Sequence, residues 1–323
     1  SKKKTRMWFT KEQLHTEALE KLIKGKKTNL SLELKELLID EFIKYEVEEL
    51  KYSSGDLVQL LSKNNMRVKL SEVTEVLKNS FELEKNSSLK LVDFFKDTSE
   101  KNFINIFYNF DLKKDAILKN YKIDKIQNNN IKYSFNNINQ DENSVSETFI
   151  LSAGSDFLKN EINCNLIGKY SSAFVNGIFS LTDNQHHEIR TTINHLTENT
   201  KSYQLIKSVL GKDSKAVYQG KILVNSIAQK TDGYQLSKAL LLNETSEFNA
   251  KPELEIYADD VKCSHGSASG SLDENSIFYL MSRGLSHKQS KELLINGFVL
   301  EVIEKITDNE IKNLVKNMIG LKE

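Results

Sequence analysis

Residues 173–227 read AFVNGIFSLTDNQHHEIRTTINHLTENTKSYQLIKSVLGKDSKAVYQGKILVNSI. Runs rich in Ile, Val, Phe, Tyr and Thr (Ala173–Leu181, Glu188–His195, Ser202–Val209, Ala216–Ile227) alternate with short stretches of Asn, Asp, Gly, Ser and Lys. β-Branched and aromatic runs bounded by turn formers are strands. The pattern extends both ways, through Phe103–Phe110, Ile131–Phe135, Thr148–Leu151 and Glu161–Ile167 upstream and Gln235–Leu242 and Leu254–Val261 downstream. No helical segments separate these runs, which disfavours a doubly wound α/β sheet. Hairpin dipeptides are scarce, with only Asn176–Gly177 and Asp232–Gly233 present. Even spacing without hairpin signals fits a stack of parallel coils better than a meander. The sequence predicts a mainly β protein with a β-solenoid core over 86–270.

Helical periodicity flanks this core. At the N-terminal side, Thr10 and Gln13 form a capping box and Gly25 stops the helix. Leu34, Leu37, Leu38, Phe42 and Tyr45 then recur at three- and four-residue spacing. Further amphipathic pieces run from Asp56 to Ser62 and from Ser71 through Val73, Val76 and Leu77, so 1–85 is predicted helical. After Ser271 three helices are predicted, capped by Ser271 with Glu274, Ser286 with Gln289, and Thr307 with Glu310. Residues 271–323 thus form a C-terminal helical domain. The middle helix carries Leu294, Ile295, Phe298, Val299, Val302, Ile303 and Ile306, about half its circumference. An arc that wide either packs within its own domain or leaves one side for a partner.

Composition excludes several classes. The 323 residues carry 45 Lys+Arg against 45 Asp+Glu, a net charge of zero. Neutralising many phosphates needs an excess of basic residues, so a nucleic-acid role is disfavoured. No apolar run approaches the ~18 residues of a membrane span. The basic start, Ser1 to Arg6, runs into Trp8 and a charged helix, unlike a signal peptide. Two cysteines cannot make a disulfide framework, which points to the reducing cytoplasm or a plastid-type organelle. Lys outnumbers Arg 41 to 4 and Asn reaches 31, a bias read as codon composition; proline occurs once.

The chemistry-bearing candidates are few. In extended chain Cys263 and His265 project on one face, and thiolate and imidazole suit iron, zinc, copper or a cluster. Two ligands do not close a metal site, which needs three or four. They form a half-site for another chain to complete, or simply end the β-stack. Cys164 alternates with Ile162 and Leu166 and reads as a buried small hydrophobe. His195, in register with Ile189, Thr191 and Ile193, reads as a core histidine. Gly266–Gly270 lacks a P-loop lysine and reads as a flexible turn. Asp259 and Asp260, adjacent on a strand, point to opposite faces and cannot flank one glycosidic bond.

The segment from Pro252 (PELEIYADDVKCSHG), then Leu272-Asp273-Glu274, Phe278-Tyr279-Leu280 and Ser282-Arg283-Gly284, resembles the SufB/SufD family of the Suf iron–sulfur cluster assembly system, in its SufD branch. Thr191–His195, Gln219–Ile222, Ala228–Asp232 and Leu240–Leu242 are similar to the family's β-core motifs in the same order. The resemblance spans roughly Gln185 to Ile306. It implies a right-handed parallel β-helix between helical regions and a non-enzymatic scaffold. It further implies pairing with SufB through the β-helix and docking of a SufC ATPase on the C-terminal helices. Phe278, Tyr279, Arg283, Phe298 and Val302 would meet SufC, and His265 with Cys263 would meet a nascent cluster shared with SufB. No cofactor would be held stably by the chain alone, and homodimerisation of the isolated chain stays open. The competing class is a β-solenoid enzyme acting on polysaccharide.

Overall fold

The structure, a computed structural model, describes residues 75–94, 103–125 and 131–321. The helices predicted before residue 75 lie outside the described residues. Fourteen strands come first: β1 (Glu75–Leu83), β2 (Ser88–Phe94), β3 (Phe103–Leu112), β4 (Ile117–Lys125), β5 (Ile131–Gln140), β6 (Val145–Ala153) and β7 (Phe157–Leu166). They continue as β8 (Ser172–Leu181), β9 (His186–His195), β10 (Lys201–Leu210), β11 (Lys215–Val224), β12 (Asp232–Leu241), β13 (Glu247–Ile256) and β14 (Lys262–Ser271). Three helices follow, α1 (Glu274–Ser282), α2 (His287–Ile303) and α3 (Asn309–Met318). Odd strands form one seven-stranded sheet and even strands another, each in chain order. Neighbouring strands pair in parallel throughout the even sheet and from β5 onward in the odd one. This is a parallel β-solenoid followed by helices.

The chain divides into two compact units. One holds residues to Ser80 with Phe103–Phe107; the other holds Phe81–Asn102 with Tyr108–Glu323. The solenoid from β4 onward and the three helices belong to the second unit.

A repeat hidden from direct comparison of the sequence spaces the coils. The turns from odd to even strands each place one residue in the left-handed region: Asn86, Asp115, Asn143, Tyr170, Asn199 and Lys230, 27 to 31 residues apart. Asn and Asp tolerate that conformation best among non-glycines. Most donate their N–H to the next coil, as Asn143 does to the Lys169 carbonyl at 2.8 Å. The following Ser or Thr closes the turn, as Ser144, Ser171, Thr200 and Thr231 do by donating to a carbonyl three residues back. Asparagine also runs in a ladder up the odd sheet, where Asn137 donates to Asn109, Asn163 to Asn137 and Asn194 to Asn163. Part of the asparagine bias is therefore architectural rather than codon composition.

Inward rows fill the solenoid. Ile138, Cys164, Ile193 and Ile222 stack in register through four coils, all fully buried or nearly so. Cys164 is thus a core residue, and burial pushes its thiol up to about 12. His195 is buried between the Thr200 and Ser202 hydroxyls at 2.7 and 2.9 Å. His187 is enclosed by the Ser152 hydroxyl and the Ser155 carbonyl, both at 2.8 Å. At the β2 end the interior is ionic. Lys132 pairs with Asp124 at 2.5 Å and Asp93 at 3.6 Å, and Lys122 with Asp93 at 3.1 Å. Tyr108 donates to Asp93 at 3.0 Å. Burial works against the Asp93 carboxylate, but the Lys132 and Lys122 ammoniums overcome it and hold the group at about 2.

The two buried histidines make a pH prediction. Burial lowers both to about 4, against about 6.5 in the unfolded chain. As pH falls the unfolded chain takes up protons first, so stability present above about pH 6.5 is lost progressively toward pH 4. The loss is roughly 3 kcal/mol per histidine. Urea unfolding at pH 7 and pH 4.5 measures it, and replacing His187 with Gln removes its share of the slope.

Several sequence expectations change. The helix expected from Ser71 gives way to strand at Glu75, so the helical region cannot run to residue 85. Val76 and Leu77 fit either period, and the ladder decides between them. Asn176–Gly177 lies inside β8 and Asp232–Gly233 opens β12, so neither closes a hairpin. β13 ends at Ile256, which leaves Asp259 and Asp260 exposed in the turn before β14. Gly266–Gly270 is no flexible turn but part of β14, paired with Leu236–Leu240. Pro252, expected ahead of the last strand, sits within β13, opposite Gly220. β13 ends its sheet, where a missing amide donor is tolerated.

The helix caps move too. α1 is capped by Asp273, which accepts from Asn275 and Ser276, because Ser271 is held in β14. α2 keeps the Ser286–Gln289 capping box. α3 is capped by Asp308, since the Thr307 hydroxyl is engaged by Lys119 at 2.9 Å and Glu147 at 2.8 Å.

Candidate functional site

The solenoid ends on two open strands, β13 in one sheet and β14 in the other. Register fixes which of their side chains continue the interior. Ala216, Tyr218, Gly220, Ile222 and Val224 form the buried row of β11. Their partners on β13 are Phe248, Ala250, Pro252, Leu254 and Ile256. On β12 the buried Gly233, Gln235 and Ser237 face Cys263, His265 and Ser267 of β14. The end of the stack therefore presents an apolar row beside a row of thiol, imidazole and hydroxyl. Neither has a further coil above it, and most of these side chains are half-buried or exposed.

Cys263 and His265 share that row but differ in depth. Cys263 packs with Leu254 and Val261 against Ile222, Val224, Ala228 and Ala258. Its sulfur lies 3.3 Å from the position a Cβ on Gly233 would take. Glycine there gives the sulfur its seat. Partial burial raises the Cys263 thiol above its ordinary value, so it is held as the thiol at neutral pH. His265 is exposed, above Gln235. A neutral imidazole presented to solvent is ready to bind a metal, whereas the thiol must first be uncovered and deprotonated. Among the described residues no group of three or more His, Cys, Asp or Glu is placed to hold a metal ion.

The helices divide differently from the sequence expectation. Val302 is fully buried, with Val299, Ile303, Ile306, Ile311 and Val315, against Tyr121, Phe149, Leu151, Ile178, Leu205 and Val209 on the outer face of the even sheet. Phe298 packs on the same cluster, with the Lys207 ammonium 4.5 Å above its ring. Lys207 also bonds the Phe298 carbonyl at 2.5 Å and pairs with Glu301 at 2.6 Å. The broad arc of α2 is thus largely spent within its own unit, and neither Phe298 nor Val302 is available to a docking protein. Fully burying an aliphatic or aromatic side chain stabilises by roughly 1.5–3 kcal/mol, which anchors the helix. The exposed apolar surface is on α1. Phe278 is 74% exposed and Tyr279 57%, with Met281 nearby and Leu293 of α2 also exposed. Arg283 lies over the Tyr279 ring at 5.2 Å. Gly284, at φ +96°, ends this helix where a side chain would be strained.

No helix among the described residues is long and apolar enough to cross a membrane. Residues 67–298 match the family model described as SUF system FeS cluster assembly, SufBD core domain. The iron–sulfur cluster assembly protein SufD of Escherichia coli (strain K12) is 33% identical over 181 residues, 56% of this chain and 42% of that protein. Protein ABCI7, chloroplastic, of Arabidopsis thaliana is 30% identical over 242 residues, 73% of this chain and 50% of that protein. A SufBD family protein of Mycobacterium leprae is 29% identical over 179 residues, 53% of this chain and 46% of that protein. The chain spans about half the length of these curated relatives.

Proposed function

This chain belongs to the SufBD core family of the SUF iron–sulfur cluster assembly system, and on that premise we propose that it is a SufD-type, non-catalytic scaffold subunit. It pairs through the open end of its solenoid with a SufB-like subunit. It contributes His265, with Cys263 beside it, to a nascent cluster whose remaining ligands the other subunit supplies. The cluster is cargo built at the junction, not a resident cofactor. A SufC-like ABC ATPase docks on α1 around Phe278, Tyr279 and Arg283, and its closure strains the junction enough to uncover Cys263.

One observation carries this reading: the two ligand side chains lie on the uncovered interior row of the terminal strand. A partner that continues the ladder would cover the apolar β13 row and complete the ligand set in one act. The polysaccharide-enzyme alternative draws no comparable support, since Asp259 and Asp260 sit in an exposed turn.

Co-purification separates the two contacts. Leu254→Asp at the open end is expected to lose the SufB-like subunit and keep the ATPase, and Phe278→Asp to do the reverse. Both leave the buried cores untouched. If each variant retained both partners, the proposed surfaces would be wrong.

A further inference from the structure

Beside the cover that α2 and α3 give the even sheet lies a cleft of about 470 Å³. Its walls are aromatic, built by Phe149, Phe174, Tyr203 and Tyr234, and the α2–α3 turn closes one side with Ile306 and Thr307. Tyr203 and Tyr234, in register on β10 and β12, stack at 5.2 Å. This volume and aromatic lining are those of a small-molecule site.

Asn176 is the feature that packing does not explain. It points outward from β8 into this cleft and is 8% exposed, yet its Oδ1 has no hydrogen-bond partner. Its register neighbours, Phe149 on β6 and Leu205 on β10, are apolar and offer it no donor. A buried carbonyl left unpaired is costly, and an amide retained there awaits a donor from outside the chain. The charged rim is balanced, with Lys201 and Lys305 against Glu147 and Asp232, so it calls for no net charge on the occupant.

We infer that this cleft binds a small, neutral, planar heteroaromatic molecule whose ring N–H donates to Asn176 Oδ1. The ring lies among the aromatic walls and the donor satisfies the amide. The inference is independent of the assembly reading, because the cleft shares neither the open end of the solenoid nor the α1 face.

Indole and 1-methylindole, alike in shape except for the N–H, are the probes, titrated into the full chain with ligand-observed NMR. Indole is expected to bind with a Kd on the order of 0.1–1 mM and 1-methylindole about tenfold more weakly. Asn176→Leu removes the acceptor at similar volume and should bring the two affinities together. Tyr234→Ala, farther from the core, should weaken both several-fold. Phe278→Asp should change neither. Circular dichroism checks that each variant is folded. No binding at several millimolar, an equal affinity for both probes, or a preference for indole that survives Asn176→Leu overturns the proposal. So does displacement of indole by the SufB-like or SufC-like partner, which would give the cleft to a protein side chain rather than a free molecule.

Discussion

His265→Ala lowers the yield of cluster on the reconstituted complex by at least about tenfold while the subunits still co-purify. The expectation follows from where the residue sits. His265 is exposed on the terminal strand, and no hydrogen bond of the fold depends on its ring, so its loss removes a ligand and little else. Disturbing even the supporting partners of a metal ligand commonly weakens binding by ~10–100-fold, and removing the ligand itself should do no less. Cys263→Ser is expected to act more mildly, because that sulfur is half-sunk against Ile222 and Gly233. The measurement is iron and sulfide content, with the visible absorbance of the complex, after a timed assembly reaction. A normal yield from His265→Ala would remove the residue from the site, and loss of the complex itself would make the histidine structural.

Lys132→Met destabilises the chain by about 3–5 kcal/mol. Lys132 and Asp124 are fully buried and in contact, with Asp93 close to both lysines of the cluster. Removing one ammonium leaves two carboxylates facing Lys122 alone, and an uncompensated buried charge costs about this much. The double change Lys132→Met with Asp124→Leu should recover a large part, because it removes both charges and puts apolar volume in their place. Urea unfolding at pH 7 measures both variants. A single variant within 1 kcal/mol of the parent would show that the charges are not dry.

Strands whose outward and inward rows differ in polarity were readable from the sequence; those whose interior is itself polar were not. Ala173–Leu181 and Glu188–His195 announce themselves through alternation. β4 hides because its inward positions include Asn120, Lys122 and Asp124, which reverse the usual pattern. β14 hides for the opposite reason: with no coil above it, its inward row can be Cys, His and Ser without burying them. The repeat was present as an Asn or Asp before Ser, Thr or Ala at 27- to 31-residue intervals, but Tyr170 and Lys230 interrupt it. At the site, the pairing of Cys263 with His265 on one face was legible from two-residue spacing. The fate of the α2 arc was not, because amphipathicity states that a face must be covered and not by what. Only the solenoid beneath it explains why Phe298 and Val302 turn inward and Phe278 does not.

In a solenoid each coil touches only the coils on either side, so stability passes along the stack as a chain of nearest-neighbour terms. The strand bearing Cys263 and His265 has one neighbour where the strands inside the stack have two. Local opening is cheapest there, and the ladder frays from this end first. Motion that would endanger a core strand is available, at small expense of free energy, to the strand that must take up and release its cargo. A second subunit bound at the end would act as the missing coil, quieting the strand when it arrives and returning its freedom when the junction is pulled apart.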